Sequence, residues 1–408
     1  MAATRRVLLC AAFVVAACTT TEAREVPAAA PAPSADFATE AAELLVRFEC
    51  NRCHDGLPGP EPVRDRHCVR CHQDIHGDRF DAPPDVIARW KSNIVSLRMV
   101  PSLEGVGSRL RRDWVRSHLL EPSDVRPQLT ATMPRLALGE DEAEILAAFL
   151  VPGEQLTARF RPWDRARGAL LYRELGCQSC HRFTGANAGP ASSHFAGGRT
   201  PSTAAIALAP DLAFARQRLQ PGQVEGWLRS PTSVAPKTLM PTFDLDATQA
   251  RQLAAFILES PLTAPPPRSV PTRLPVLDRP VSYDEVSERV FKKICWHCHA
   301  DPDFAFGDGG PGHSGGFGFP ARRLDLSTYS GVASGSVGPD GQRRSVFTPI
   351  ANGTPRLVAH LLARHREEAG TPVPGIRGMP LGLPALPPED IQLVESWIAQ
   401  GRPGSFDP

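Results

Sequence analysis

A five-residue string, Cys-x-x-Cys-His, occurs four times in this chain. The copies are Cys50-Asn51-Arg52-Cys53-His54, Cys68-Val69-Arg70-Cys71-His72, Cys177-Gln178-Ser179-Cys180-His181 and Cys295-Trp296-His297-Cys298-His299. Two thiols one helical turn apart can each form a thioether to a porphyrin vinyl group, and the histidine after them reaches the iron. A zinc ribbon or a dithiol redox pair shares the Cys-x-x-Cys spacing, but neither explains a histidine after every second cysteine. Each string therefore predicts one covalently bound c-type haem, four in all. Cys50, Cys53, Cys68, Cys71, Cys177, Cys180, Cys295 and Cys298 would form the thioethers, and His54, His72, His181 and His299 would bind iron from the proximal side. A fold built on such strings must wrap each porphyrin and supply a sixth ligand.

The remaining totals agree with that reading. Ten cysteines are present in 408 residues, and only Cys10 and Cys18 lie outside the strings. Both fall in the N-terminal leader, so no cysteine of the body is left for a disulfide. The formal net charge of +1 argues against a general nucleic-acid binder. The length predicts two to four domains.

Residues 1–18 read as a secretory signal, with Arg5 and Arg6 ahead of an apolar run, Val7 to Ala17, too short to span a bilayer. The run ends in Val15-Ala16-Ala17-Cys18, which resembles the bacterial lipoprotein processing box. The resemblance implies cleavage before Cys18, lipidation of that cysteine, and a membrane anchor on the periplasmic side of the cell envelope, in either membrane. Ordinary signal cleavage nearby, giving a soluble periplasmic protein, is the alternative. Residues 19–36 are Thr-, Ala- and Pro-rich, a tether reaching about 50 Å if Pro-stiffened at roughly 3 Å per residue.

The body repeats itself. After His72 come Pro101-Ser102-Leu103, Trp114-Val115-Arg116-Ser117 and Met133-Pro134; after His181 come Pro210-Asp211-Leu212, Trp227-Leu228-Arg229-Ser230 and Met240-Pro241; after His299 the match loosens, but Met379-Pro380 follows in the same role. Each Met-Pro precedes a helix with an acidic start, at Glu140-Asp141-Glu142, at Asp244 and Asp246, and at Glu389-Asp390. Carboxylates there suit the helix dipole, and apolar residues at three- and four-residue steps supply one inward face. Helices also lead into Cys50, Cys177 and Cys295.

A helix entering Cys-x-x-Cys-His, a loop carrying Met-Pro and a final helix crossing the first resembles the small all-α fold of monohaem cytochromes c. The resemblance implies three tandem cytochrome c-like modules with long loops. Residues 37–155 would form a dihaem module with an inserted haem, residues 160–260 a monohaem module, and residues 281–408 a monohaem module with a Gly-rich loop. A Pro-rich linker covers 261–280. Within the third module Ser330 to Gly341 reads as a second loop. Asp301, Asp303 and Asp308 are oxygen donors of the kind calcium uses, though a solvated loop is the plainer reading.

Methionine is core filler by default. Here Met133, Met240 and Met379 precede prolines downstream of haem strings, and a thioether is a neutral ligand that raises the haem potential. Met240 pairs with His181 and Met379 with His299. Spacing alone lets Met133 serve His54 or His72. The leading helix favours His54, because the stretch before Cys68 is broken by prolines. The His72 haem then needs another sixth ligand: His76 first and Met99 second, with His67 and His118 also in reach. His194, His313, His360 and His365 read as surface residues, and His297 as a spacer. The arginines at 109, 111, 112 and 116 read equally as a solvated helix face or as partners of haem propionates.

These features point to an electron carrier rather than an enzyme, exchanging electrons with other redox proteins or a membrane oxidase or reductase. Two alternatives stand beside it. One is a peroxidase or small-oxide reductase with a five-coordinate haem at His72. The other is the cytochrome subunit of a membrane complex.

Overall fold

The computed structural model describes residues 35–62, 67–94, 97–129, 133–153, 155, 157–189, 195–198, 200–264, 266–300 and 315–404. Cys10, Cys18, His194, His313, Asp301, Asp303 and Asp308 lie outside the described residues. The chain is mainly helical. In order come α1 (Ala35–Arg47), α2 (Cys68–His76), α3 (Pro84–Asn93), α4 (Arg112–Leu120), α5 (Glu140–Leu150), α6 (Asp164–Glu174), α7 (Thr203–Leu208), α8 (Ala215–Arg218), α9 (Pro221–Arg229), α10 (Pro231–Val234) and α11 (Ala247–Glu259). Then come α12 (Tyr283–Val286), α13 (Trp296–His299), α14 (Tyr329–Ser334), α15 (Arg356–Glu368) and α16 (Pro388–Ala399), with an antiparallel pair, β1 (Ser336–Val337) and β2 (Arg343–Arg344), after α14. The segment read as a loop from Ser330 to Gly341 is thus a short helix and a hairpin. Thr328 caps α14 by accepting from Gly331 N, a local signal that hydrophobic period does not carry.

The acidic helix starts behave as expected. Asp246 caps α11, accepting from Thr248 N at 2.7 Å and Gln249 N at 2.8 Å. Glu142 returns to Gly139 N at 2.8 Å at the start of α5, satisfying a donor that the helix leaves open. Among the described residues no helix is long and apolar enough to cross a membrane.

Three apolar clusters hold these helices. The first centres on Phe48, Leu146 and Val151, where α1 and α4 pack on α5. The second centres on Tyr172, Leu253 and Phe256, where α11 crosses α6 and α9. At that crossing a Cβ on Gly168 would collide with the Gln252 carbonyl oxygen, so the helices meet only because the residue has no side chain. The third centres on Trp397, Phe291 and Val394. Its leading helix runs from α12 through a π-wound stretch, Ser287–Cys295, into α13.

The first cluster touches both of the others. On one side Leu110 bridges Leu219 antiparallel, with Arg111 N donating to Arg218 O at 2.8 Å and Gln220 N to Arg109 O at 2.9 Å. On the other side Phe317 enters the first cluster. Phe317 N donates to Glu49 Oε2 at 3.2 Å, and Gly318 N to Arg47 O at 3.2 Å. The first segment thus meets the third as well as the second, across the 268 positions between Glu49 and Phe317.

Candidate haem centres

The strings at Cys50 and Cys177 fold alike. In each, a left-handed residue precedes the first cysteine, Glu49 with φ 53° and Gly176 with φ 73°. Glycine takes that conformation at no steric cost; glutamate does not. A 3-10 turn follows, Cys50–Arg52 or Cys177–Ser179. His54 N donates to Cys50 O at 3.0 Å, and His181 N to Cys177 O at 3.0 Å.

Each histidine is then held from behind. His54 Nδ1 lies 2.8 Å from Pro101 O, and His181 Nδ1 lies 2.9 Å from Pro210 O. An imidazole that donates its Nδ1–H to a carbonyl has its other nitrogen, Nε2, presented as a lone pair, the arrangement metal-bound histidines use. The next leucine closes the loop, Leu103 N onto Asp55 O at 2.8 Å and Leu212 N onto Arg182 O at 2.9 Å. Burial lowers the pKa of both imidazoles, with the proline carbonyls pulling the other way. Asp211 adds a brace in the second copy, accepting from Thr184 N and Ala213 N.

Each Met-Pro methionine packs against a cluster that a string cysteine also borders. Met133 packs against the cluster that includes Cys50, Met240 against the one with Cys177, and Met379 against the one with Cys295. Trp227 Nε1 donates to Met240 Sδ at 2.9 Å. Met379 N donates to His360 O at 2.9 Å, and Gly378 N to the buried Glu367 at 2.8 Å.

The second and fourth strings are helical. Cys68 to His76 is α2, and Trp296 to His299 is α13. The Cys53 thiol hydrogen-bonds Cys68, bringing the first and second strings side by side. The rings of His72 and His297 have centres 6.2 Å apart, tilted at 52°. None of the eight string cysteines forms a disulfide.

The other candidates for the His72 iron have distinct surroundings. His76 Nε2 lies 2.9 Å from Ile94 O, tying α2 to α3. His67 caps α2 by accepting from Arg70 N at Nδ1, with Nε2 facing Asp55 at 3.5 Å. His118 stacks on Trp114 and accepts from Ser123 N. Met99 is half-buried beside Arg98, whose carbonyl accepts from Gln73 on α2 at 2.9 Å. His360 and His365, read as surface residues, lie on α15, and His365 is buried.

The arginines divide. Arg112 donates to Val151 O and Gly153 O, and Arg116 pairs with Glu140 and Glu144. Arg109 instead joins Arg126 and Arg218, which sequence reasoning did not single out. The Nε atoms of Arg126 and Arg218 are buried without a hydrogen-bond partner, and among the described residues no carboxylate pairs with them. Burial first, then the charges of Arg126 and Arg109, pulls the Arg218 pKa down to about 10. The charge of Arg126 reaches His54, and that of Arg218 reaches His181 and His118. A buried cation without an anion is costly, and haem carboxylates are anions of the right kind for this place. The donor set fits c-type haem: paired thiols, an oriented imidazole, a thioether against the same cluster, and guanidinium Nε atoms buried without a hydrogen-bond partner.

Residues 165–261 match the cytochrome c family. That segment is a cytochrome c domain, which implies covalently bound c-type haem and a haem-based role in electron transfer. Comparison with curated proteins and with solved structures gave no match.

Proposed function

We propose that the chain is a tetrahaem electron carrier built from three cytochrome c-like modules and held at the periplasmic side of a membrane by a lipid on Cys18. The observation that carries this beyond one domain is the cradle shared by His54 and His181. Outside the matched segment, His54 has the same turn, the same proline carbonyl and the same leucine closure. The same chemistry at both places is the simplest reason for the same backbone.

His54 with Met133, His181 with Met240, and His299 with Met379 would hold three of the irons. Each haem, when bound, supplies a one-electron ferric/ferrous couple. The chain does the rest. The cysteines hold the porphyrins covalently, and Pro101 and Pro210 fix two imidazoles in one tautomer. The apolar clusters exclude water, and Arg109, Arg126 and Arg218 balance propionate charge between the first and second modules. Methionine ligation favours the reduced iron at three centres. Electrons pass to and from redox proteins or a membrane oxidase or reductase.

The test is the mass of the denatured, processed protein. It is expected to exceed the polypeptide by four haems, with peptides mapping one to each string. Fewer than four, or haem released on denaturation, overturns the reading. A lipid on an N-terminal Cys18 would show in the same spectrum, and an unmodified N-terminus elsewhere would remove the anchor.

A further inference from the structure

The second string has a proximal histidine but no Met-Pro of its own. Its neighbour in space is the fourth string. Of the residues between paired cysteines, Asn51-Arg52, Val69-Arg70, Gln178-Ser179 and Trp296-His297, only His297 is a strong ligand for haem iron. His297 and His299 are two steps apart on α13, which at 100° per residue puts them on roughly opposite sides of the helix. If His299 serves its own haem, His297 points away from it.

His297 points toward the second string. Its ring centre stands 6.2 Å from that of His72, the two rings tilted at 52°. Two imidazoles bound trans to one metal, with metal–nitrogen bonds of about 2 Å each, have ring centres roughly 6 Å apart. Of the other candidates, His76 is tied to Ile94 O and His118 stacks on Trp114, while His67 spends its Nδ1 on Arg70 N as the cap of α2.

We infer that His297, a spacer residue of the fourth string, is the sixth ligand of the haem carried by Cys68 and Cys71. The inference rests on the four-haem reading above. It makes the His72 centre bis-histidine, six-coordinate and lower in potential than the three His/Met centres. It also joins two haems through two residues of backbone, since His297 would bind one iron and His299 the other. With Cys53 against Cys68, and the arginines between His54 and His181, the order of centres becomes His181, His54, His72, His299.

The test uses the full, haem-loaded protein and the variants His297→Ala, His297→Met, His76→Ala and Met99→Leu. Haem number comes from the mass of each. Ferric spin state is read by electron paramagnetic resonance, and carbon monoxide binding by absorption of the reduced protein. Expected is a wild type that is wholly low-spin and inert to carbon monoxide. In His297→Ala about a quarter of the haem should turn high-spin and bind carbon monoxide. His297→Met should return to low-spin with a new thioether-to-iron charge-transfer band and a raised potential at one centre. His76→Ala and Met99→Leu should keep the wild-type spectra. With four haems present, a low-spin, inert His297→Ala overturns the inference, as does a high-spin fraction in either of the other two variants. Absence of haem from Cys68 and Cys71 overturns the four-haem reading instead, and the inference with it.

Discussion

Gln220 adds a side-chain link to the backbone bridge between the first and second clusters. It is 2% exposed, and its side-chain amide donates to Gly107 O at 2.8 Å and Leu110 O at 3.0 Å. Gln220→Leu keeps the volume and the backbone bond to Arg109 but removes both donors. Two buried carbonyls then lack these partners, at about 1–3 kcal/mol each. Added apolar burial returns about 1 kcal/mol, so the net cost is about 1–5 kcal/mol. At roughly 2–4 °C per kcal/mol, Tm should fall by roughly 2–20 °C in thermal unfolding of the haem-loaded protein followed by far-UV circular dichroism. Gln220→Glu should cost more, since carboxylate oxygens would face carbonyl oxygens. A Tm within 1 °C of wild type for Gln220→Leu would refute the argument that this amide strengthens the junction.

Arg218→Gln removes a buried positive charge that reaches His181. A unit charge at about 10 Å in an effective dielectric of about 20 contributes about 1.7 kcal/mol, equivalent to about 70 mV for a one-electron couple. Loss of the cation stabilises ferric iron, so spectroelectrochemistry should show one or two midpoint potentials falling by tens of millivolts with haem number unchanged; unaltered potentials would place the arginine away from the centres. The His118 pKa is pulled down to about 4, by burial first and then by the charges of Arg218 and His54. Between that value and the unfolded value near 6.5 the unfolded chain binds the proton and the folded one does not. Stability should therefore fall as pH drops through this window, by up to about 3 kcal/mol. His118→Gln should flatten the slope in denaturant titrations, and an unchanged slope would exclude His118 as its source.

What could be read from the residues alone was local. Haem attachment is legible because thioether spacing and the adjacent histidine are covalent requirements within five residues. The helices beginning at Glu140, after Asp246 and at Pro388 were legible because period, acidic first turns and, in the first two, capping act within a few turns. The segment that matches the cytochrome c family, residues 165–261, spans the third string and Met240. The hairpin after Tyr329 was missed because its signals are turn and cap chemistry rather than alternation. Buried His365 was missed because a histidine in a polar stretch does not announce which face of α15 turns inward.

The chain by itself determined which atoms can bond to a porphyrin, since that depends on neighbours along the backbone. Only tertiary structure decided that the first segment meets both of the others, that the Nε atoms of Arg126 and Arg218 are buried with no carboxylate beside them among the described residues, and that His72 meets His297. Those relations join residues more than ninety positions apart, in the cases of Arg126 with Arg218 and His72 with His297. No periodicity spans such distances; packing of whole helices sets them.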